Sequence, residues 1–156
     1  MTFRIKGLES APFAPLYGLS DDALAAQGVL RRVVDTEFAF PDRIALKDAS
    51  PGETVLLLNY VHQPAATPFR AAHAIYVREY ATTAYDRIGE VPDVLRRRLI
   101  SLRAFDREGM LQDADVVEGA EIERVITRLF SQHDTAYLHA HFAKPGCYAA
   151  LIERAP

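Results

Sequence analysis

The residue types best suited to chemistry gather near the end of the chain. His139 and His141 lie one residue apart in the run Thr135 to Phe142, and the only cysteine, Cys147, follows after Lys144-Pro145-Gly146. If that run is a strand, its two-residue period places Tyr137, His139 and His141 on one face and Leu138, Ala140 and Phe142 on the other. Two imidazoles side by side can hold a zinc-type metal ion, given a third ligand from a neighbouring strand and water in the fourth position. His73 is the expected third ligand, with His62, Asp113 and Asp115 as further completions. The competing expectation is that the two histidines line a polar face or bond to carbonyls.

A second chemistry needs no metal. His62, His73, His139 and His141, joined by Arg70 and Arg103, could line a pocket for a small anionic ligand, because a guanidinium matches a carboxylate or phosphate with paired donors. Arg43 and Arg78 are further cations for such a pocket. Cys147 could act as a nucleophile beside an imidazole, but a lone thiol is more often a small buried apolar group, and the expectation is an unreactive one.

These groups must be positioned by the elements around them. Lys144-Pro145-Gly146 supplies a fixed φ and then a residue tolerant of positive φ, which suits a hairpin turn into a strand over Cys147 to Glu153. Val55-Leu56-Leu57-Leu58 is an apolar run bounded by turn residues, the pattern of a central strand covered on both faces. It runs to Tyr60, and an antiparallel partner follows over His73 to Tyr80. Pro64 and Pro68 interrupt the loop between them, at the rim of any pocket. Further strands are expected at Phe3 to Leu8, Val29 to Thr36, Ile44 to Leu46, Leu99 to Asp106 and Met110 to Val117. Ser20-Asp21-Asp22 before an alanine-rich run and Gly28 marks a short helix. In Gly119 to Gln132, Ile122, Val125, Ile126, Leu129 and Phe130 recur at helical period, so one stripe should pack on the sheet.

The chain has 156 residues and is 49% hydrophobic and 25% charged, which suits one domain, 1–156, with its own core. A net charge of -3 gives no electrostatic case for nucleic acid or a membrane surface, and Arg96-Arg97-Arg98 reads as a solvated turn. No apolar run approaches a membrane span, the start lacks the apolar core of a secretion signal, and one cysteine cannot form an internal disulfide. The expected compartment is cytoplasmic. Oligomeric state has no signature in the sequence.

Several motifs fall in one order: Leu56-Leu57-Leu58-Asn59-Tyr60 with His62; Pro68-Phe69-Arg70; His73 through Glu79; Arg103-Ala104-Phe105-Asp106; Asp113-Ala114-Asp115; and Tyr137 through His141 with Gly146-Cys147-Tyr148. This set resembles the bacterial domain of unknown function 1203 family, over nearly the whole chain. The resemblance implies no activity, cofactor or catalytic residue. The family pattern often has Cys where this chain has Asp42, and Asn where it has Phe142, so a cysteine pair cannot be a function shared with this chain.

The expectation is therefore an α+β domain: a largely antiparallel, curved sheet of seven to nine strands, one long helix in the C-terminal half and short helical turns near the N-terminus. A partly open barrel plugged by the helix is the alternative. A small anionic ligand in the His/Arg pocket is the first functional expectation. A zinc-dependent, hydrolase-like enzyme using His139 and His141 is the second, and a structural or interaction domain without a small-molecule site is the third.

Overall fold

The computed structural model describes residues 2–156. Its nine strands are divided between two antiparallel sheets, and neither closes into a barrel. The strands are β1 (Thr2–Lys6), β2 (Leu30–Val33), β3 (Thr54–Gln63), β4 (Ala71–Arg78), β5 (Asp86–Ile88), β6 (Leu99–Phe105), β7 (Leu111–Glu118), β8 (Tyr137–Phe142) and β9 (Tyr148–Ala155). The larger sheet has the order β5-β1-β9-β8-β6-β7, and the smaller has β2-β3-β4. The helices are α1 (Asp21–Ala25), α2 (Asp93–Arg96) and α3 (Ile122–Phe130), the last entered through a 3-10 turn at Gly119–Glu121. Among the described residues no helix is long and apolar enough to cross a membrane.

The helical stripe behaves as its period dictates. Ile122, Val125, Ile126, Leu129 and Phe130 are all buried, in one core with Ile100, Leu102, Leu138, Ala140 and Ile152 of the large sheet. Each such aliphatic side chain contributes about 1.5–3 kcal/mol through burial. Because α3 claims Leu138 and Ala140, the strand period turns His139 and His141 to the opposite face. There the small sheet covers them, so β8 is buried on both sides.

The small sheet has its own apolar cluster, in which Leu56, Ile75 and Val77 meet Phe13, Leu16 and Leu24 from the N-terminal turns and α1. Ser20 caps α1 by accepting from the Ala23 N–H at 3.1 Å. Strand β3 is central only to this small sheet, and Leu57 and Leu58 stay partly exposed rather than covered on both faces.

Local chemistry overrode three sequence expectations. Ile44 and Ala45 lie in a turn, and Leu46 just past it, instead of forming a strand, because the Asp42 carboxylate accepts from the Ala45 N–H at 2.6 Å and the Arg78 N–H at 2.8 Å. An Asp side chain that captures nearby backbone competes with a strand ladder. The stretch 81–93, whose polar residues, Gly89 and Pro92 read as a loop in the sequence, contains the short edge strand β5, held by pairing with β1. The three arginines expected in a solvated turn belong to or follow α2, and each finds a different partner: Arg96 pairs with Glu123, Arg97 lies over the Phe38 ring, and Arg98 pairs with Asp48.

Candidate metal centre

Four of the five histidines meet where the small sheet crosses the large one. His139 and His141 come from β8, His62 from the end of β3 and His73 from β4. A register shift between Val61 and Gln63 marks a bulge against β4, and the consecutive residues His62 and Gln63 are both buried there. A bulge re-aims a side chain in this way. Gln63 then donates from Nε2 to the Tyr137 hydroxyl at 2.9 Å, tying the bulge to the large sheet.

The rings are closely set. His73 Nδ1 and His62 Nε2 are 2.8 Å apart, and the two rings stack with centroids at 4.8 Å. His141 stands edge-on to both, at 4.9 Å from His62 and 5.4 Å from His73. Tyr148 of β9 stacks on the other face of His62 at 5.1 Å and meets His139 and His141 edge-on. His62, His73 and His141 offer one ligand atom each within 4.8 Å of one another, a cluster able to chelate a divalent metal such as zinc. His139 is adjacent, 5.7 Å from His62 between centroids, but outside that compact group.

The hydrogen bonding around these rings is incomplete. His141 Nδ1–H donates to the Gly146 carbonyl at 3.0 Å, which leaves its buried Nε2 lone pair without a partner among the described residues. His62 Nδ1 and His139 Nδ1 are also buried without partners among those residues. Burial is the first cause that pushes the pKa down to about 4 at His62 and about 3 at His139 and His141, with neighbouring rings and Arg103 adding to it. His73 is lowered as well, by burial first and then by Arg103 and Arg43. At neutral pH all four are uncharged, the state in which imidazole binds metal.

Two clefts flank the cluster. One of about 760 Å³ reaches it at His73 and is walled by Arg43, Tyr76, Arg98, Phe142 and Cys147. A second, of about 660 Å³, reaches it at His62 and His139, beside Tyr137 and Glu153. Arg103 lies directly across from His139 in the β6–β8 register.

The remaining sequence candidates fall elsewhere. Arg70 is exposed and donates to the Pro64 carbonyl of its own loop at 2.6 Å. Asp113 and Asp115 are paired with Arg128 at 3.1 and 2.9 Å. Arg78 pairs with Glu53 at 2.7 Å. Arg43 is buried and bonds to the Tyr148 carbonyl, the Pro41 carbonyl and Cys147 Sγ, the last at 2.9 Å. Burial lowers its pKa, and Cys147 acts in the opposite direction. Gly7 permits that placement: a Cβ there would lie 2.1 Å from the Ile44 carbonyl oxygen and 2.9 Å from that of Arg43.

The sequence points to His139, His141 and His73 as the metal set, with His62 as a further completion, whereas the compact trio has His62 in place of His139. No sequence pattern marks Tyr148 as part of the site, and the Pro-Gly turn is readable without showing that its Gly146 carbonyl meets His141. The family model for proteins of unknown function DUF1203 matches residues 39–154, a span that includes all four clustered histidines. The chain belongs to this family. No curated protein matches it, and no solved structure matches it.

Proposed function

We propose that the protein binds one divalent metal ion of the zinc class through His62, His73 and His141, and that the ion activates water for hydrolysis of a small substrate. The observation that carries this reading is the trio itself: three neutral imidazoles converge within 4.8 Å, and among the described residues the buried Nε2 of His141 has no other partner. Three histidines with an open fourth position are the donor set of a catalytic rather than a structural zinc site. Two nitrogens at about 2.0–2.1 Å from one tetrahedral zinc stand about 3.3 Å apart. The His62–His73 contact of 2.8 Å therefore needs to open by about half an ångström, within reach of small side-chain rotations. The bond from His141 Nδ1–H to Gly146 is the outer contact that orients a metal-binding imidazole. In the reaction, water adds across the scissile bond: its oxygen joins the electrophilic carbon or phosphorus, and its protons leave to solvent and to the departing group. A cytoplasmic setting belongs to the same reading, supported by a single unpaired thiol.

Metal content of purified protein, reloaded with zinc and freed of excess, tests the reading. The expected result is one zinc per chain, lost in His73→Ala and in His62→Phe with circular dichroism unchanged. His133→Ala, at the fully exposed fifth histidine, should keep its zinc. Zinc-free wild type, or variants that retain the metal, would overturn the proposal.

A further inference from the structure

Arg103 is the guanidinium beside the histidines, and its surroundings differ from those of the other half-buried arginines. Arg31, Arg78, Arg96 and Arg98 each contact a carboxylate. Among the described residues no carboxylate pairs with Arg103, which is half-buried, and that burial lowers its pKa. A charge partly withdrawn from water without a counter-ion costs free energy that an arriving anion returns. Its position is defined, since Arg103 faces His139 across the β6–β8 ladder and shares that face of the sheet. All four clustered imidazoles feel its charge.

The charge balance points the same way. A site of three neutral histidines leaves the two positive charges of a divalent ion uncompensated, and Arg103 adds a third. The carboxylate of Glu153, on the wall shared by His62 and His139, lies 3.9 Å from Lys6 and so already has a cation beside it.

We propose that Arg103 and the metal position form one oxyanion receptor, so that the substrate carries a carboxylate or phosphoryl group held between the guanidinium fork and the ion. This rests on the metal reading for one of its two anchors. The other anchor, Arg103, stands without it. Arg103 acts on the substrate's charged group directly, and its planar donors select a flat or tetrahedral oxyanion over a neutral ligand.

Inorganic phosphate is the probe, titrated calorimetrically into protein carrying one equivalent of zinc and freed of excess. Wild type should bind one phosphate. Arg103→Ala should bind about 10- to 100-fold more weakly, the loss of hydrogen bonds to a charged group, with zinc content unchanged. Arg103→Lys should fall between them, because it keeps the charge and loses the fork. Equal affinity in wild type and Arg103→Ala at equal zinc content overturns the receptor while leaving the metal reading intact. If wild type takes up no zinc, the metal reading fails by itself, and the titration is repeated on metal-free protein. Phosphate binding that Arg103→Ala abolishes then upholds the arginine anchor, and no binding overturns it.

Discussion

Two polar clusters occupy opposite ends of β4 and follow opposite rules. Just past one end, the Glu79 side chain is 2% exposed and fully engaged. Its oxygens accept from Arg31 Nε at 3.0 Å and Nη2 at 2.8 Å, from the Thr54 hydroxyl at 2.8 Å and from the Gly18 N–H at 2.8 Å. Arg31 continues to the Leu19 carbonyl and to Asp21. Near the other end, His73 meets three imidazoles that keep buried nitrogens unpaired, beside an arginine with no carboxylate. Buried polar groups are nearly always satisfied, and the Glu79 cluster meets that standard in full. The histidine cluster departs from it at several atoms together, all of them imidazole nitrogens. The difference separates a network that fixes the fold from a group of donors arranged for something that binds.

Acid titration of the metal-free protein should give the largest effect and separate the two clusters by pH window. His62, His139 and His141 titrate near 4, 3 and 3 when folded, against 6.5 when unfolded. The unfolded chain therefore takes up protons first, and their contribution falls as pH drops below about 6.5 and on through 3. Glu79 is held at about 2 against 4.5, with its Arg31 bonds the first cause, so its contribution is present above 4.5 and lost as pH falls through 2. Urea midpoints between pH 7 and 3.5 should decline from the upper window onward. His62→Phe should flatten the upper part and Glu79→Gln the lower. A flat profile from pH 7 to 5 would break the comparison.

At neutral pH the two clusters should respond unequally to the loss of a polar group. Glu79→Ala strands the Thr54 hydroxyl, the Gly18 N–H and Arg31, and should cost about 2–3 kcal/mol by denaturant midpoint. His62→Phe removes a buried Nδ1 that has no partner and keeps the stacking on Tyr148; the one contact it gives up, from Nε2, is to His73, which is part-exposed and can turn to water, so metal-free stability should change by less than about 1 kcal/mol. Equal losses would mean that the histidines serve structure as Glu79 does.

Local periodicity made part of this architecture legible. The stripe from Ile122 to Phe130 revealed both its helix and its buried face, and the alternation through Tyr137 to Phe142 put His139 and His141 on one side of a strand. Pairing between distant segments was not legible in the same way. A pattern of alternating residues does not say which strands share a sheet, so the division into six and three strands, and the edge strand Asp86–Ile88, emerged only from register. The bulge at His62 depends on one unpaired residue against Ala72 and Ala71, a feature of two strands together. That is why the sequence places His62 among the ligand-pocket residues and only as a further completion of the metal set. Arg70 failed for a related reason: proline placement correctly marked the loop, but not which way its arginine turned. Asp93 after Pro92 is a readable acidic first turn for α2, but the four-residue helix is too short to show a helical period.

The central claim is that His62, His73 and His141 are ligands to one metal ion. Anomalous diffraction at the zinc absorption edge, on crystals of the zinc-loaded protein, addresses it directly. The account predicts one strong peak at about 2.0–2.1 Å from a nitrogen of each of those three rings. A peak elsewhere, at the exposed His133 for instance, or none within the cluster, would contradict it.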